Sequence, residues 1–273
     1  MQHYMVCISI RVGRINVLRL LLEKKPDLTV KNKLGKTCID SAKSKIVINM
    51  FSQHLNFNKE ITKNVTLNSF DPIRIIGNGS FGEVYLVKRK STQKYYTMKV
   101  LRKKLIFRKH LVKYMLTEKQ ILSSMKHPFI VSLHCAFQSK TCLYMVMDYY
   151  PGGDLGQLLK REGKFSEEVA RMYIAEVILA IEDLHKRGII YRDLKPDNVV
   201  LDSEGHIALI DFGLSKEGME SDQLTQSFCG SVAYFAPEML VKSGHGKAID
   251  WYLVGALLYE MIVGMPPYFT RNK

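Results

Sequence analysis

The feature that most constrains this chain is the run Tyr191-Arg192-Asp193-Leu194-Lys195-Pro196-Asp197-Asn198, followed thirteen residues after its asparagine by Asp211-Phe212-Gly213. Two short acidic turns, the first with cations beside its carboxylates, form a cradle suited to positioning and neutralising charge. Taken separately, each turn reads equally well as an ordinary acidic surface loop. The order of the remaining motifs has to decide.

At 273 residues with 47% apolar content, the chain can bury one large or two modest cores. Its five cysteines, Cys7, Cys38, Cys135, Cys142 and Cys229, are odd in number and contain no C-x-x-C pair. That argues against a zinc site or a disulfide framework and for free thiols in a reducing compartment. No secretory leader pattern and no long apolar run is present, so the expectation is a cytoplasmic or nuclear protein without a membrane span. Of the net charge of +14, residues 1–69 contribute 12 Lys/Arg against 4 Asp/Glu, and the remainder 28 against 22. Such an excess attracts nucleic acid or anionic lipid in some proteins, but it is neither one block nor interleaved with aromatics. It reads better as a solvated basic surface, with nucleic acid not expected as a partner.

From Gly13 to Leu22, Ile15, Leu18, Leu21 and Leu22 share one helical stripe, which Lys24-Lys25-Pro26-Asp27 terminates. Gly35-Lys36-Thr37-Cys38-Ile39-Asp40-Ser41-Ala42 then begins a second turn-then-helix pattern. This succession resembles ankyrin repeats, which recur at ~33 residues, with Cys38 where Pro is usual and Asp40 where His is usual. The resemblance implies short all-α repeats over residues 1–55 and a protein partner bound there. A short helical hairpin packed on the neighbouring domain is the alternative. Ankyrin units do not bury their faces alone, so the partial match is expected to be the end of a longer array. Residues 56–69, rich in Asn and Lys, read as a linker.

Phe70 to Gly77 is strand-like and runs into Gly77-Asn78-Gly79-Ser80-Phe81-Gly82. A G-x-G-x-x-G run is a dinucleotide fingerprint only where it opens a helix. Here Glu83-Val84-Tyr85-Leu86-Val87-Lys88 alternates as a second strand does, and the polar Lys90-Ser91-Thr92-Gln93 leads to a third carrying Tyr96-Thr97-Met98-Lys99. Helical spacing from His110 to Met125 includes Glu118, and Leu143 to Met147 reads as a further strand. Ser166-Glu167-Glu168 caps a long helix whose last turn carries His185-Lys186-Arg187 before Gly188, placing acids and bases well against the helix dipole. A helix from Ile249 to Val263 follows the Tyr234-Phe235-Ala236-Pro237-Glu238 run.

Strand, glycine loop, strand, lysine, and then the two acidic turns is the order found in protein kinases. Residues 70 to 269 resemble the AGC group of serine/threonine kinases, on the strength of Tyr191, the run Ser227-Phe228-Cys229-Gly230-Ser231, and Tyr234 to Glu238. The resemblance implies an α+β, two-lobed kinase domain over residues 70–273, with a small antiparallel β lobe and a larger helical lobe. It implies an ATP- and Mg²⁺-dependent kinase acting on Ser or Thr of protein substrates. ATP would be bound by Ile76, Gly77, Asn78, Gly79, Ser80, Phe81, Gly82, Val84, Lys99 and Met147, with Glu118 as the partner of Lys99. Asp193 would accept the substrate proton, Lys195 would stabilise the transferring phosphate, and Asn198 and Asp211 would hold Mg²⁺. Ser227 would be the activation-loop phosphosite, held by Arg192 and Lys216 after modification by an upstream kinase. Asp154, Asp197 and Glu260 would bind basic residues preceding the acceptor, and Asp250 would anchor the loop backbone. By the same resemblance the last helices and C-terminal tail are missing after Lys273, so a fragment of a longer protein is expected. The rival reading is an ankyrin scaffold joined to a catalytically idle kinase fold, although none of the chemical residues is lost.

Overall fold

The computed structural model describes residues 65–79, 82–108, 111–219, 224–225, 230–241 and 244–269. The ankyrin-like segment, Ser80, Phe81 and Ser227 lie outside these residues. The chain divides into two compact units, the first reaching to residue 113 and including 134–147, the second comprising 114–133 and 148 onward.

The first unit is a five-stranded sheet made of β1 (Phe70–Gly79), β2 (Gly82–Arg89), β3 (Tyr95–Arg102), β4 (Leu133–Gln138) and β5 (Cys142–Asp148), in the order β1-β2-β3-β5-β4. β1 and β2, like β2 and β3, pair antiparallel. Alternation along β3 buries Tyr96 and Met98 on one face, where they join Phe70, Val87, Cys135, Phe137, Tyr144 and Val146. The rings of Phe137 and Tyr144 stack at 4.9 Å within this core. β1 lies at the edge, the tolerated place for Pro72, whose missing amide would break an interior ladder. The register shifts beside Pro72 and again before Gly77. Residues 65–69, read as the end of a linker, instead hold to the sheet: Val65 packs against its core and Leu67–Ser69 forms one 3₁₀ turn. A short helix α1 (Lys103–Arg108), which the sequence pattern did not announce, follows β3 with Lys103 buried and its Nζ donating to Gln138 Oε1 at 2.8 Å.

Gly82 shows why one glycine of the loop is obligatory. A methyl there would stand 1.8 Å from the Val100 carbonyl oxygen, so the bare backbone is what allows β2 to approach β3. Gly82→Ala is expected to destabilise the chain by about 1–3 kcal/mol through this overpacking. A thermal midpoint equal to that of the unaltered chain would show that the strand spacing relaxes freely.

The second unit is mainly helical. α2 (Val112–Ser124) enters it. α3 (Leu155–Glu162), α4 (Glu167–Lys186), the single-turn α5 (Pro237–Leu240) and α6 (Ala248–Val263) follow. Three short strands, β6 (Gly153–Asp154), β7 (Val199–Leu201) and β8 (Ile207–Leu209), form a small sheet in that order. α4 starts where Ser166 Oγ accepts the Val169 amide, and ends before Gly188, whose φ of 71° suits a glycine. Its buried stripe of Ala170, Tyr173, Ile174, Val177, Ala180, Ile181 and Leu184 packs toward α6, which buries Ile249, Leu253, Val254, Leu257 and Met261. Glu176 on α4 receives the Ile207 amide at 2.9 Å and faces His206 Nδ1 at 2.6 Å, tying β8 to that helix. No helix among the described residues is long and apolar enough to cross a membrane.

Candidate active site

The β7/β8 hairpin explains the thirteen-residue spacing between Asn198 and Asp211. Val199 pairs with Leu209, and the Ile210 amide donates to the Asn198 carbonyl at 3.0 Å, so the two turns meet at one end of the hairpin. A gap that looks long in sequence is closed by antiparallel register.

Upstream of β7, the loop 190–198 is strapped to its surroundings. Asp250, fully buried in the first turn of α6, accepts the Tyr191 amide at 2.8 Å and the Arg192 amide at 2.8 Å, and lies 2.7 Å from His185 Nε2. The expected anchoring role is therefore what the geometry displays. Arg192 sits at φ 71°, unfavourable for a side chain with a Cβ, and that conformation is secured at both ends. Its backbone amide is held by Asp250, while its guanidinium donates Nε to Leu214 O at 2.7 Å and Nη2 to Ser215 O at 3.4 Å. Ile190 and Lys216 exchange two backbone bonds of 2.9 Å, joining the loop to the segment after Asp211.

Within the loop, Asp193 is nearly buried, and its carboxylate is fixed by three side chains. Oδ2 accepts from Lys195 Nζ at 3.0 Å and Asn198 Nδ2 at 2.8 Å, and Oδ1 accepts from Ser231 Oγ at 3.2 Å. Ser231 Oγ in turn accepts from Lys195 Nζ at 3.0 Å. A carboxylate locked in this way cannot rotate away from its task. Tyr191 stands behind it, entirely buried, with its hydroxyl bonded to the Ile210 carbonyl and its ring edge-on to Phe212 at 5.1 Å. Burial pushes the Tyr191 phenol far up, and the negative charges of Asp193, Asp211, Asp250 and Glu118 reinforce the effect. Four acids therefore converge on one neutral phenol.

Asn198 Nδ2 also donates to the Asp193 carbonyl at 2.7 Å, so both amide protons are spent on Asp193 and the amide oxygen is what remains for a cation. Asp211 is exposed, at φ 59°, with Oδ1 accepting the Gly213 amide at 3.2 Å. Two hard oxygen donors suit Mg²⁺, which takes few protein ligands and completes its shell with water and phosphate oxygens.

In the first unit, Gly77, Val84 and Lys99 stand opposite one another on β1, β2 and β3, so Val84 and Lys99 share a face. That face is the one opposite the Tyr96 and Met98 core. Ile76 on β1 is 36% exposed, Asn78 is exposed, and Gly79 pairs with Gly82 across the loop. Met147 is buried on β5, and Glu118 is buried on α2.

Of the three acids assigned to basic substrates, Asp197 and Glu260 fall together: Tyr234 donates its hydroxyl to Glu260, and the charge of Asp197 bears on both. Burial and then the Asp197 charge push Glu260 up, while the Tyr234 bond pulls the other way. Asp154 is occupied locally as the cap of α3, with Oδ1 accepting the Gln157 amide at 2.8 Å and Oδ2 accepting from the Gln157 side chain. Sequence reasoning gave no task to Ser231 or Tyr234. Each sits in a run already noted, but only their partners reveal what they do.

Residues 70–273 match the protein kinase domain family. The chain is 50% identical over 225 residues to protein kinase 3 of Dictyostelium discoideum, covering 79% of this chain and 25% of that protein. It is 47% identical over 211 residues to the serine/threonine-protein kinase sgk-1 of Caenorhabditis elegans, covering 77% and 46%. It is 46% identical over 222 residues to the serine/threonine-protein kinase Sgk1 of Danio rerio, covering 81% and 51%. The chain thus spans about half or less of the length of these relatives. A match that begins at the first residue of β1 and takes in both units leaves one assignment: the chain belongs to the protein kinase family.

Proposed function

We propose that the chain is an ATP- and Mg²⁺-dependent protein serine/threonine kinase of the AGC kind. The observation that carries the proposal is the Asp193 carboxylate, immobilised by Lys195, Asn198 and Ser231 on a loop that Asp250 anchors from beneath. Mg·ATP, when bound, supplies the phosphoryl group and the metal's neutralising charge. Asp193 orients the substrate hydroxyl and accepts its proton. Lys195 balances the negative charge that develops beside it, which its bond to Asp193 prepares it to do. Asn198 and Asp211 offer oxygen to the metal. Lys99, Val84, Met147 and the residues from Ile76 to Gly82 serve nucleotide binding. The test is transfer of labelled phosphate from ATP to a serine peptide with Mg²⁺, comparing the full chain with Asp193→Asn. Absence of transfer, with ATP still bound, would favour an idle scaffold.

Asp197 and Glu260 are proposed to select basic residues before the acceptor, with Asp154 contributing from its capping position. Because burial raises the Glu260 carboxyl from its ordinary value, it loses its charge earlier than an exposed acid as pH falls. The KM for a basic peptide is therefore expected to rise as pH falls through the raised Glu260 midpoint, while a neutral peptide shows no such rise. Glu260→Gln should raise that KM about tenfold at neutral pH and flatten its pH dependence. Equal profiles for the two peptides would remove Glu260 from substrate selection. Ser227 as a regulatory phosphosite, residues 1–55 as an ankyrin-like partner segment, and a cytoplasmic or nuclear location belong to the same proposal. They rest on the sequence alone.

A further inference from the structure

Glu176 is an acid only 8% exposed, set in the otherwise apolar and aromatic buried stripe of α4, and it takes no part in the cradle around Asp193. A carboxylate in that setting is costly unless its oxygens are engaged. Both are: Oε2 accepts the Ile207 amide at 2.9 Å, and Oε1 lies 2.6 Å from His206 Nδ1. Both partners stand where β8 begins.

The register of the hairpin explains why an acceptor is needed there. The Asp202 amide donates to the His206 carbonyl at 2.9 Å, so with the two-residue period of a strand the amides of Ile207 and Leu209 face away from β7. β8 is an edge strand of its sheet, and its outward donors must find partners elsewhere. Leu209 donates to the Phe129 carbonyl at 2.9 Å, and Ile207, 1% exposed, donates to Glu176. At the other end of the same hairpin the Ile210 amide meets the Asn198 carbonyl and brings Asn198 to Asp211. Glu176 therefore fixes the outer edge of the element on whose register that meeting depends.

We propose that Glu176 is a positioning residue for the Asn198 and Asp211 pair: from α4, with His206 on its second oxygen, it clamps the β7/β8 hairpin in the register that lets both side chains serve one cation. The proposal rests on the reading that these two residues hold Mg²⁺. The clamp responds to pH. The bond to Glu176 and then that carboxylate's charge push the His206 imidazole up from its ordinary value; burial opposes them, and the charges of Asp202 and Glu204 in the turn reinforce them. Phe129 turns an uncharged ring to His206 at 6.4 Å, and His127, edge-on to Phe129, is pulled down by burial. On α4, burial and then the Glu176 charge push the Tyr173 phenol up, so it stays neutral. Below its raised midpoint the His206 imidazolium donates a charge-assisted bond to Glu176; as pH rises through that midpoint the donor becomes neutral and the clamp slackens.

Mn²⁺ is the probe, a dication that accepts the same oxygen ligands as Mg²⁺, bound to the full chain with a non-hydrolysable ATP analogue and followed by electron paramagnetic resonance. No turnover is needed. Asp211→Asn is the control and should weaken Mn²⁺ binding. Glu176→Ala, which strands the Ile207 amide, should weaken it about tenfold and speed hydrogen exchange at the Ile210 amide. Glu176→Gln keeps an oxygen for that amide and should restore the affinity without its pH dependence. In the unaltered chain the Mn²⁺ dissociation constant should rise as pH passes upward through the His206 midpoint, read from the imidazole resonance that His206→Gln removes. His206→Gln should show no such rise. A merely structural Glu176 would lower the thermal midpoint of Glu176→Ala while leaving Mn²⁺ affinity and Ile210 exchange unchanged, and that result overturns the proposal. An Mn²⁺ affinity indifferent to the His206 midpoint overturns it as well, and this comparison decides the matter if Glu176→Ala does not fold. Mn²⁺ binding unmoved by Asp211→Asn is a different failure: it removes the metal reading itself, and the clamp with it.

Discussion

Asp250→Ala is expected to destabilise the second unit by about 3–5 kcal/mol, a large part of what a domain of this size possesses. The carboxylate has no exposure and receives three hydrogen bonds, from the Tyr191 amide at 2.8 Å, the Arg192 amide at 2.8 Å and His185 Nε2 at 2.7 Å. Alanine leaves two backbone donors buried without acceptors, each worth about 1–3 kcal/mol. It also releases the Arg192 amide, in a residue held at φ 71°, from its carboxylate acceptor. Asp250→Asn keeps the shape and one acceptor oxygen and should fall between the two. Urea unfolding of the full chain measures the loss, and hydrogen exchange at the Tyr191 and Arg192 amides locates it. An alanine variant within about 1 kcal/mol of the unaltered chain would mean that water replaces the carboxylate, and the anchoring argument would fail.

Asp193→Asn is expected to lower kcat for peptide phosphorylation by about 10²–10⁴-fold, the usual contribution of a positioned general base. The amide is nearly isosteric and retains an oxygen for Asn198 or Lys195, so the thermal midpoint and the affinity for Mg·ATP should change little. What disappears is the ability to take the hydroxyl proton and the charge that holds Lys195 Nζ at 3.0 Å. The signature is a fall in kcat with an unaltered KM for ATP, since the residue acts in the transition state and not in nucleotide binding. If the variant keeps more than about a tenth of the activity, Asp193 is not the base, and the hydrogen bonds from Lys195, Asn198 and Ser231 require another explanation.

Much of the architecture was legible because its signals are local. Ser166 and Gly188 mark the ends of α4 through backbone groups they satisfy or conformations they permit, and the alternation around Val84 and Lys99 places both on one strand face. β6, β7 and β8 were not legible, since strands of two or three residues carry too few side chains for a period to emerge. The hairpin they form nonetheless brings Asn198 to Asp211. Asp154 illustrates the opposite difficulty. Its place before Leu155 is as good a helix-cap signal as it is a substrate acid, and both of its oxygens are engaged by Gln157.

By itself the sequence determined which residue types stand together and in what order, because the type and spacing of Asp193, Lys195, Asn198 and Asp211 are properties of the chain alone. Tertiary structure decided what each is held by. Asp250 meets the Tyr191 amide across 59 residues, Ser231 meets Asp193 across 38, and Tyr234 meets Glu260 across 26. The physical reason is that a carboxylate's behaviour depends on its donors and its dielectric surroundings, and these are supplied by packed neighbours that no local pattern encodes.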